Sequence, residues 1–324
     1  MTQTVMAYDV LFDESTNEAI REAIPTVLVP LIERSTHLGD GATVAAIAVV
    51  MYWFSAERRR TRIFVLAVGL GALGLSTMLK GVIGRERPDP NVLAFAPEAY
   101  GGFSFPSAHA LGSAAIFTML VLTLSVGERW QRALVAAGLV GTVMLSRVVV
   151  GVHYLGDVIV GATIGVAFVL VAFRGYPHVS PERAFAAAFG LGLLGLVLGA
   201  REHSILVAGS SLGAGVTWYA VRDQDARPTG AAILALGVLT LPALFVIRAV
   251  EYVVGFGAAV GYNMVTVALG YAVVTAGVVL VPFTAERLND RAPVVWLQSR
   301  LPFRGRQFDP TELEVPGSDI RTDD

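Results

Sequence analysis

An all-α bundle of membrane-spanning helices is the fold class that three observations predict. Of 324 residues, 54% are hydrophobic and only 15% are charged. The mean hydropathy is +0.63, which belongs to polytopic membrane chains rather than soluble domains. Apolar runs near the length a bilayer demands, about twenty residues per helix, recur along the chain between short polar connections. There is no cysteine, so neither a disulfide framework nor thiol chemistry is available. The net charge of -2 argues against a nucleic-acid partner. The first residues show no basic stretch followed by an apolar run, so no cleaved signal peptide is expected.

Residues 1–40 open polar and acidic, with Asp9, Asp13, Glu14, Glu18 and Glu22. The apolar run Ile24–Ile32 is too short to span and carries Pro25 and Pro30. This part reads as an interfacial or re-entrant segment ending near His37-Leu38-Gly39-Asp40, with His37 a surface histidine. Spans are then expected at Ala42–Ala56, Ile63–Ile83, Ala110–Val126, Ala133–Val150 and Tyr154–Phe173. Further spans follow at Ala184–Ala200, Ser204–Val221, Gly230–Val250 and Phe256–Phe283. The remainder, 284–324, is a polar tail with an acidic end that reads as disordered.

Charge orients the spans. Basic clusters at 58–62, 129–132, 174–183, 222–227 and beyond 286 occupy every second connection of about nine spans, and the positive-inside tendency makes those connections cytoplasmic. The tail then lies in the cytoplasm. The intervening connections face outward, and they hold the chemistry.

The stretch Ser146-Arg147-Val148-Val149-Val150-Gly151-Val152-His153-Tyr154-Leu155-Gly156-Asp157 sets an arginine, a histidine and an aspartate between two apolar segments. Polar groups at membrane depth are expensive, so they mark a candidate site. His153 and Asp157 are four apart, and on a helix they share a face. A carboxylate beside an imidazole holds its tautomer and stabilises its cation. Lys80 is the one lysine among 24 basic residues. A compact ammonium kept in an arginine-using chain suits phosphate binding. If the helix persists to Pro88, Lys80, Gly84 and Arg87 form one stripe. Ser107 follows Pro106 at a helix start, where free backbone N–H groups bind anions, and His109 lies just inside. Three cations and a helix N-terminus make an anion cradle, and two histidines with one aspartate supply a nucleophile, its orienter and an acid/base. No carboxylate cluster of the kind Mg²⁺ or Ca²⁺ needs is visible on this face. Metal-independent phosphoryl transfer is the chemistry these groups suit.

Lys80-x6-Arg87-Pro88, Pro106-Ser107-x-His109 and Ser146-Arg147-x5-His153-x3-Asp157 resemble, in order and spacing, the three-part signature of the type-2 phosphatidic acid phosphatase (PAP2) family, which shares its core with vanadium haloperoxidases. Ala108 stands where the family usually has glycine. The resemblance covers about residues 38–175. It implies a catalytic membrane core (41–175), set between the polar N-terminal segment (1–40) and, beyond the core, additional transmembrane helices (176–283) and the tail (284–324) that hydropathy gives. It further implies that His153 is the nucleophile forming a phosphohistidine, Asp157 its orienting carboxylate and His109 the general acid. Lys80, Arg87, Ser107 and Arg147 match the phosphate-binding positions. No metal or other cofactor is implied. The expected substrate is a lipid phosphate or lipid (polyprenyl) pyrophosphate, hydrolysed on the extracytoplasmic face of the cell membrane. A lipid phosphotransferase using an acceptor other than water would share every motif residue, and a non-catalytic lipid transporter would explain the extra helices. Oligomeric state stays open.

Overall fold

The computed structural model describes residues 10–54, 59–89, 101–198, 201–238 and 264–301, which form helices joined by turns and loops, with no strand among them. Two short helices, α1 (Glu14–Glu22) and α2 (Val29–Ser35), lead into a 3-10 turn, Thr36–Gly39. There follow α3 (Gly41–Trp53), α4 (Arg59–Ile83), α5 (Ala108–Thr123), α6 (Arg129–Val150), α7 (Leu155–Gly175), α8 (Pro181–Val197) and α9 (Arg201–Val221). Residues 230–238 are helical, and α10 (Met264–Glu286) and α11 (Ala292–Arg300) complete the described chain. Parts of the expected spans Gly230–Val250 and Phe256–Phe283, and the acidic end of the tail, lie outside the described residues. The helices α4, α6, α7, α10 and the His203–Val221 part of α9 are long and apolar enough to cross a bilayer. This is an integral membrane protein.

The punctuation is local. Ser107 caps α5 by accepting from the Ala110 amide. Gln131 reaches back to the Glu128 amide at 2.8 Å at the start of α6. Pro181, preceded by the cap Ser180, opens α8. At the other ends, α4 and α6 stop at Gly84 and Gly151, with φ of 62° and 86°. That left-handed conformation is open to glycine and closes the last turn, the Gly84 amide returning to the Lys80 carbonyl at 2.9 Å. The continuous helix through Arg87 that the sequence suggested is therefore broken at Gly84, and Lys80 and Arg87 do not share a helical stripe.

In lipid there is little hydrophobic drive between helices, so close approach and interhelical hydrogen bonds carry the packing. Where α7 lies on α5, a Cβ added to Gly161 would meet the Ser107 carbonyl oxygen at 2.8 Å, and one added to Gly165 would meet the Leu111 carbonyl oxygen at 2.4 Å. The two backbones touch, which sets the height of α5's first turn against α7. The later helices pack on the earlier ones: α8 runs along α4, and α9 along α8 and α10. Phe185, Trp218 and Val279 share one apolar cluster with Phe64, Leu111 and Ile116. Tyr52 Oη and Trp53 Nε1 at the end of α3 each donate, at 2.9 Å, to the carbonyls of Val279 and Val278 in α10. At that same end of α4, Arg62 is buried and donates from Nη1 to Thr123 Oγ1 at 2.7 Å, so part of the basic cluster serves packing as well as charge.

Gly165→Ala should lower stability by about 1–3 kcal/mol, because backbone cannot yield to a Cβ as a side chain can. A depressed melting temperature in detergent checks this. Gly138→Ala, whose added Cβ meets nothing within 4 Å, should leave the melting temperature unaltered or slightly raised.

Candidate active site

Topology sends every expected site residue to one end of the bundle. Lys80 lies in the last turn of α4, Ser107 and His109 start α5, Arg147 is in the last turn of α6, and Asp157 is in the first turn of α7. His153 belongs to the turn between α6 and α7. It therefore meets Asp157 through that turn and not along a helix face, since α7 begins only at Leu155.

His153 is 2% exposed and Asp157 fully buried. Their closest approach, His153 Nδ1 to Asp157 Oδ2, is 3.4 Å, longer than a normal hydrogen bond. Ser104 fills the interval. Its hydroxyl donates to Asp157 Oδ2 and lies 3.2 Å from His153 Nδ1. With the hydroxyl proton committed to the carboxylate, Ser104 Oγ is the acceptor for an Nδ1–H. That tautomer leaves Nε2 with a bare lone pair. Asp157 Oδ2 also accepts from the Tyr154 amide at 3.0 Å, and the Asp157 carbonyl accepts from the Ser107 amide at 3.1 Å. The site missed in the sequence is Ser104, which looks there like any loop serine two residues ahead of a proline. Its own amide is held by the Arg85 carbonyl at 2.8 Å.

One cation, Arg87, meets the other ring nitrogen, and Lys80 and Arg147 lie at the same end of the bundle. Arg87 Nη1 donates to the Val152 carbonyl at 2.9 Å and stands 3.4 Å from His153 Nε2. Lys80 Nζ donates to the Phe103 carbonyl and, at 3.4 Å, to that of Ser104. Arg147 Nη1 donates to Thr36 Oγ1 at 2.7 Å, while its buried Nε has no hydrogen-bond partner. Burial first, then Arg87, Arg147 and Lys80, hold the His153 imidazole well below its usual proton affinity, so it is neutral near pH 7. Ser107 is fully buried at the cap of α5, and Ala108 is accepted as that helix's first residue. Arg85 stacks over the Phe12 ring, 4.0 Å from its centroid. Among the described residues no three His, Asp or Glu side chains converge as a metal-binding group.

The N-terminal segment, expected merely to lie at the interface, closes one side of the site. Asn17 is buried and donates to the His153 carbonyl at 2.9 Å. His109 Nε2 lies 2.9 Å from Asp40 Oδ1, and His37 Nδ1 lies 2.8 Å from Asp40 Oδ2. His37 is exposed, as expected, but partnered.

Residues 61–180 match the PAP2 superfamily. The chain is 28% identical over 166 residues to a phosphatidylglycerophosphatase B of Bacillus subtilis, covering 47% of this chain and 79% of that protein. It is 30% identical over 131 residues to a decaprenylphosphoryl-5-phosphoribose phosphatase of Mycobacterium tuberculosis, covering 40% of this chain and 70% of the relative. Among solved structures, a transmembrane PAP2-type phosphatidylglycerolphosphate phosphatase from Bacillus subtilis aligns with a TM-score of 0.45 and 24% identity over 55% of this chain and 88% of that one. On the sequence match and the relative so largely covered, this chain belongs to the PAP2 superfamily.

Proposed function

We propose that the protein is a membrane phosphatase that hydrolyses a lipid phosphate or lipid pyrophosphate through a phosphohistidine, on the extracytoplasmic face. The observation that carries the reading is the buried His153, whose Nε2 faces Arg87 while its Nδ1 meets the Ser104 hydroxyl that Asp157 binds. The relatives are phosphatases named for lipid-linked phosphates, which supports the substrate class. The orientation rests on the alternation of basic connections.

In the reaction, His153 Nε2 attacks phosphorus and the bond to the leaving oxygen breaks. Arg87, Lys80 and Arg147 balance the charge on the equatorial oxygens, with the N-terminus of α5 at Ser107 beside them. His109 gives the leaving oxygen its proton. The imidazolium formed at His153 is stabilised by Asp157 through Ser104. Water then attacks the phosphohistidine, giving its proton to His109, and the N–P bond breaks to release phosphate and restore neutral His153. Each bond formed to phosphorus is matched by one broken, and the proton that His109 gave returns to it from water. A site at the ends of α4–α7 suits a reacting phosphorus at headgroup level, with the lipid chain left in the bilayer.

His153→Ala should reduce phosphate release from lipid mono- and diphosphates, assayed with EDTA present, by at least about 10³-fold while the protein stays folded in detergent. Unchanged release from that variant would remove the nucleophile assignment. Because His153 is held below the ordinary imidazole value of 6.5, protonation should not silence it until the pH falls beneath that value. The acid-side decline in kcat/KM is therefore expected below pH 6.5, and a decline centred above it would contradict the neutral, buried imidazole. Ser104→Ala leaves buried Asp157 Oδ2 without its hydroxyl donor and should cost about 1–3 kcal/mol of stability together with a fall in kcat. Thermal unfolding and phosphate release on the same sample measure both.

A further inference from the structure

Asp40 stands at the position that caps α3, and its residue type is among the best helix N-caps. Yet it makes no side-chain capping bond. Both its oxygens turn the other way, one to His109 Nε2 at 2.9 Å and one to His37 Nδ1 at 2.8 Å. The turn that carries it is pressed against the site: a Cβ at Gly39 would meet Val143 Cγ1 at 2.7 Å and His109 Cβ at 3.1 Å. From the same turn, Thr36 accepts from Arg147. One short segment, outside the stretch that matches the superfamily, thus grips two members of the site.

We infer that Asp40 is the positioning residue of His109, the carboxylate partner that orients this imidazole and favours its cation for leaving-group protonation. The inference rests on the reading of His109 as general acid. The chemistry requires such a partner. Burial, Arg147 and Arg87 all oppose a cation on His109. In that cationic setting an imidazolium is unfavourable without a carboxylate in contact. Asp40 is ionised throughout the working range, since the hydrogen bond from His109 holds its carboxyl down to about 2. His37 takes the second oxygen, which fixes the carboxylate's rotamer toward His109. The site then contains two His–carboxylate pairs of different character. Asp157, through Ser104, serves the imidazole that attacks; Asp40, directly, serves the one that donates.

The test separates the two pairs by leaving group. Full-length wild type, Asp40→Asn, Asp40→Glu, His109→Ala and His153→Ala are compared by kcat/KM on a dialkylglycerol phosphate and on p-nitrophenyl phosphate, whose leaving group needs no proton. General acid help amounts to about 10²–10⁴-fold, so Asp40→Asn should slow the alkyl ester by about 10–100-fold and the aryl ester by no more than about 3-fold. Asp40→Glu should recover part of the loss, and vanadate, which occupies the phosphate cradle, should inhibit Asp40→Asn as it inhibits wild type. Equal slowing of both esters, no slowing of either, or loss of vanadate inhibition would overturn the proposal in favour of a purely structural Asp40. If His109→Ala shows no leaving-group dependence while His153→Ala is inactive, the general-acid assignment falls, and this proposal with it, but the phosphatase reading stands. An active His153→Ala would overturn that reading itself.

Discussion

A completely buried carboxylate is the constraint around which the end of this bundle is arranged, its Oδ2 collecting the side-chain hydrogen bonds and its Oδ1 receiving none. Asp157 takes the Ser104 hydroxyl and the Tyr154 amide on its side chain, and its carbonyl takes the Ser107 amide. Those bonds join the first turn of α7 to the 101–107 loop and to the cap of α5. Remove that charge, or leave it unpaired, and the loop loses its anchor along with the histidine it orients. The close backbone contact between α5 and α7 at Gly161 and Gly165 serves the same junction from the membrane side.

Around this anion the cations are arranged with unfinished business. Arg87 and Lys80 direct their donors at backbone carbonyls of neighbouring loops, and Arg147 keeps a buried Nε without a partner. Guanidinium and ammonium groups held by carbonyls are ordered before any anion arrives, which lowers the cost of organising them around developing charge. The same cations suppress protonation of His153, and a neutral imidazole is the form that can attack. Electrostatics that would merely destabilise a structural histidine is here compatible with chemistry on an anionic substrate.

The two ends of the bundle use arginine differently. At the far end Arg62 and Arg59 are buried against Thr123 and the Ala226 carbonyl, so they stabilise helix packing there. At the site end the arginines stay partly accessible, and the N-terminal segment contacts two of them, through Thr36 for Arg147 and through the Phe12 ring for Arg85, while carbonyls of Gly101 and Val152 hold Arg87. Among the described residues, the helices after residue 175 reach this arrangement by packing along α4, whose end carries Lys80.

Hydropathy and capping residues determined by themselves that this is a helical membrane protein and where its principal helices run, and motif spacing picked out Lys80, Arg87, Ser107, His109, Arg147, His153 and Asp157 as candidates for one site. Those features are local, because a span is a run of apolar residues and a cap is a side chain beside its own helix. The tertiary structure alone decided what lies between and behind those residues. Ser104 meets its partners across 49 and 53 positions, Asp40 meets His109 across 69, and Thr36 meets Arg147 across 111. A serine in a loop or an aspartate ahead of a helix has many roles open to it. Which one it takes depends on the path of the loop and the depth at which two helices touch, quantities set by packing between distant segments and not written in any one of them.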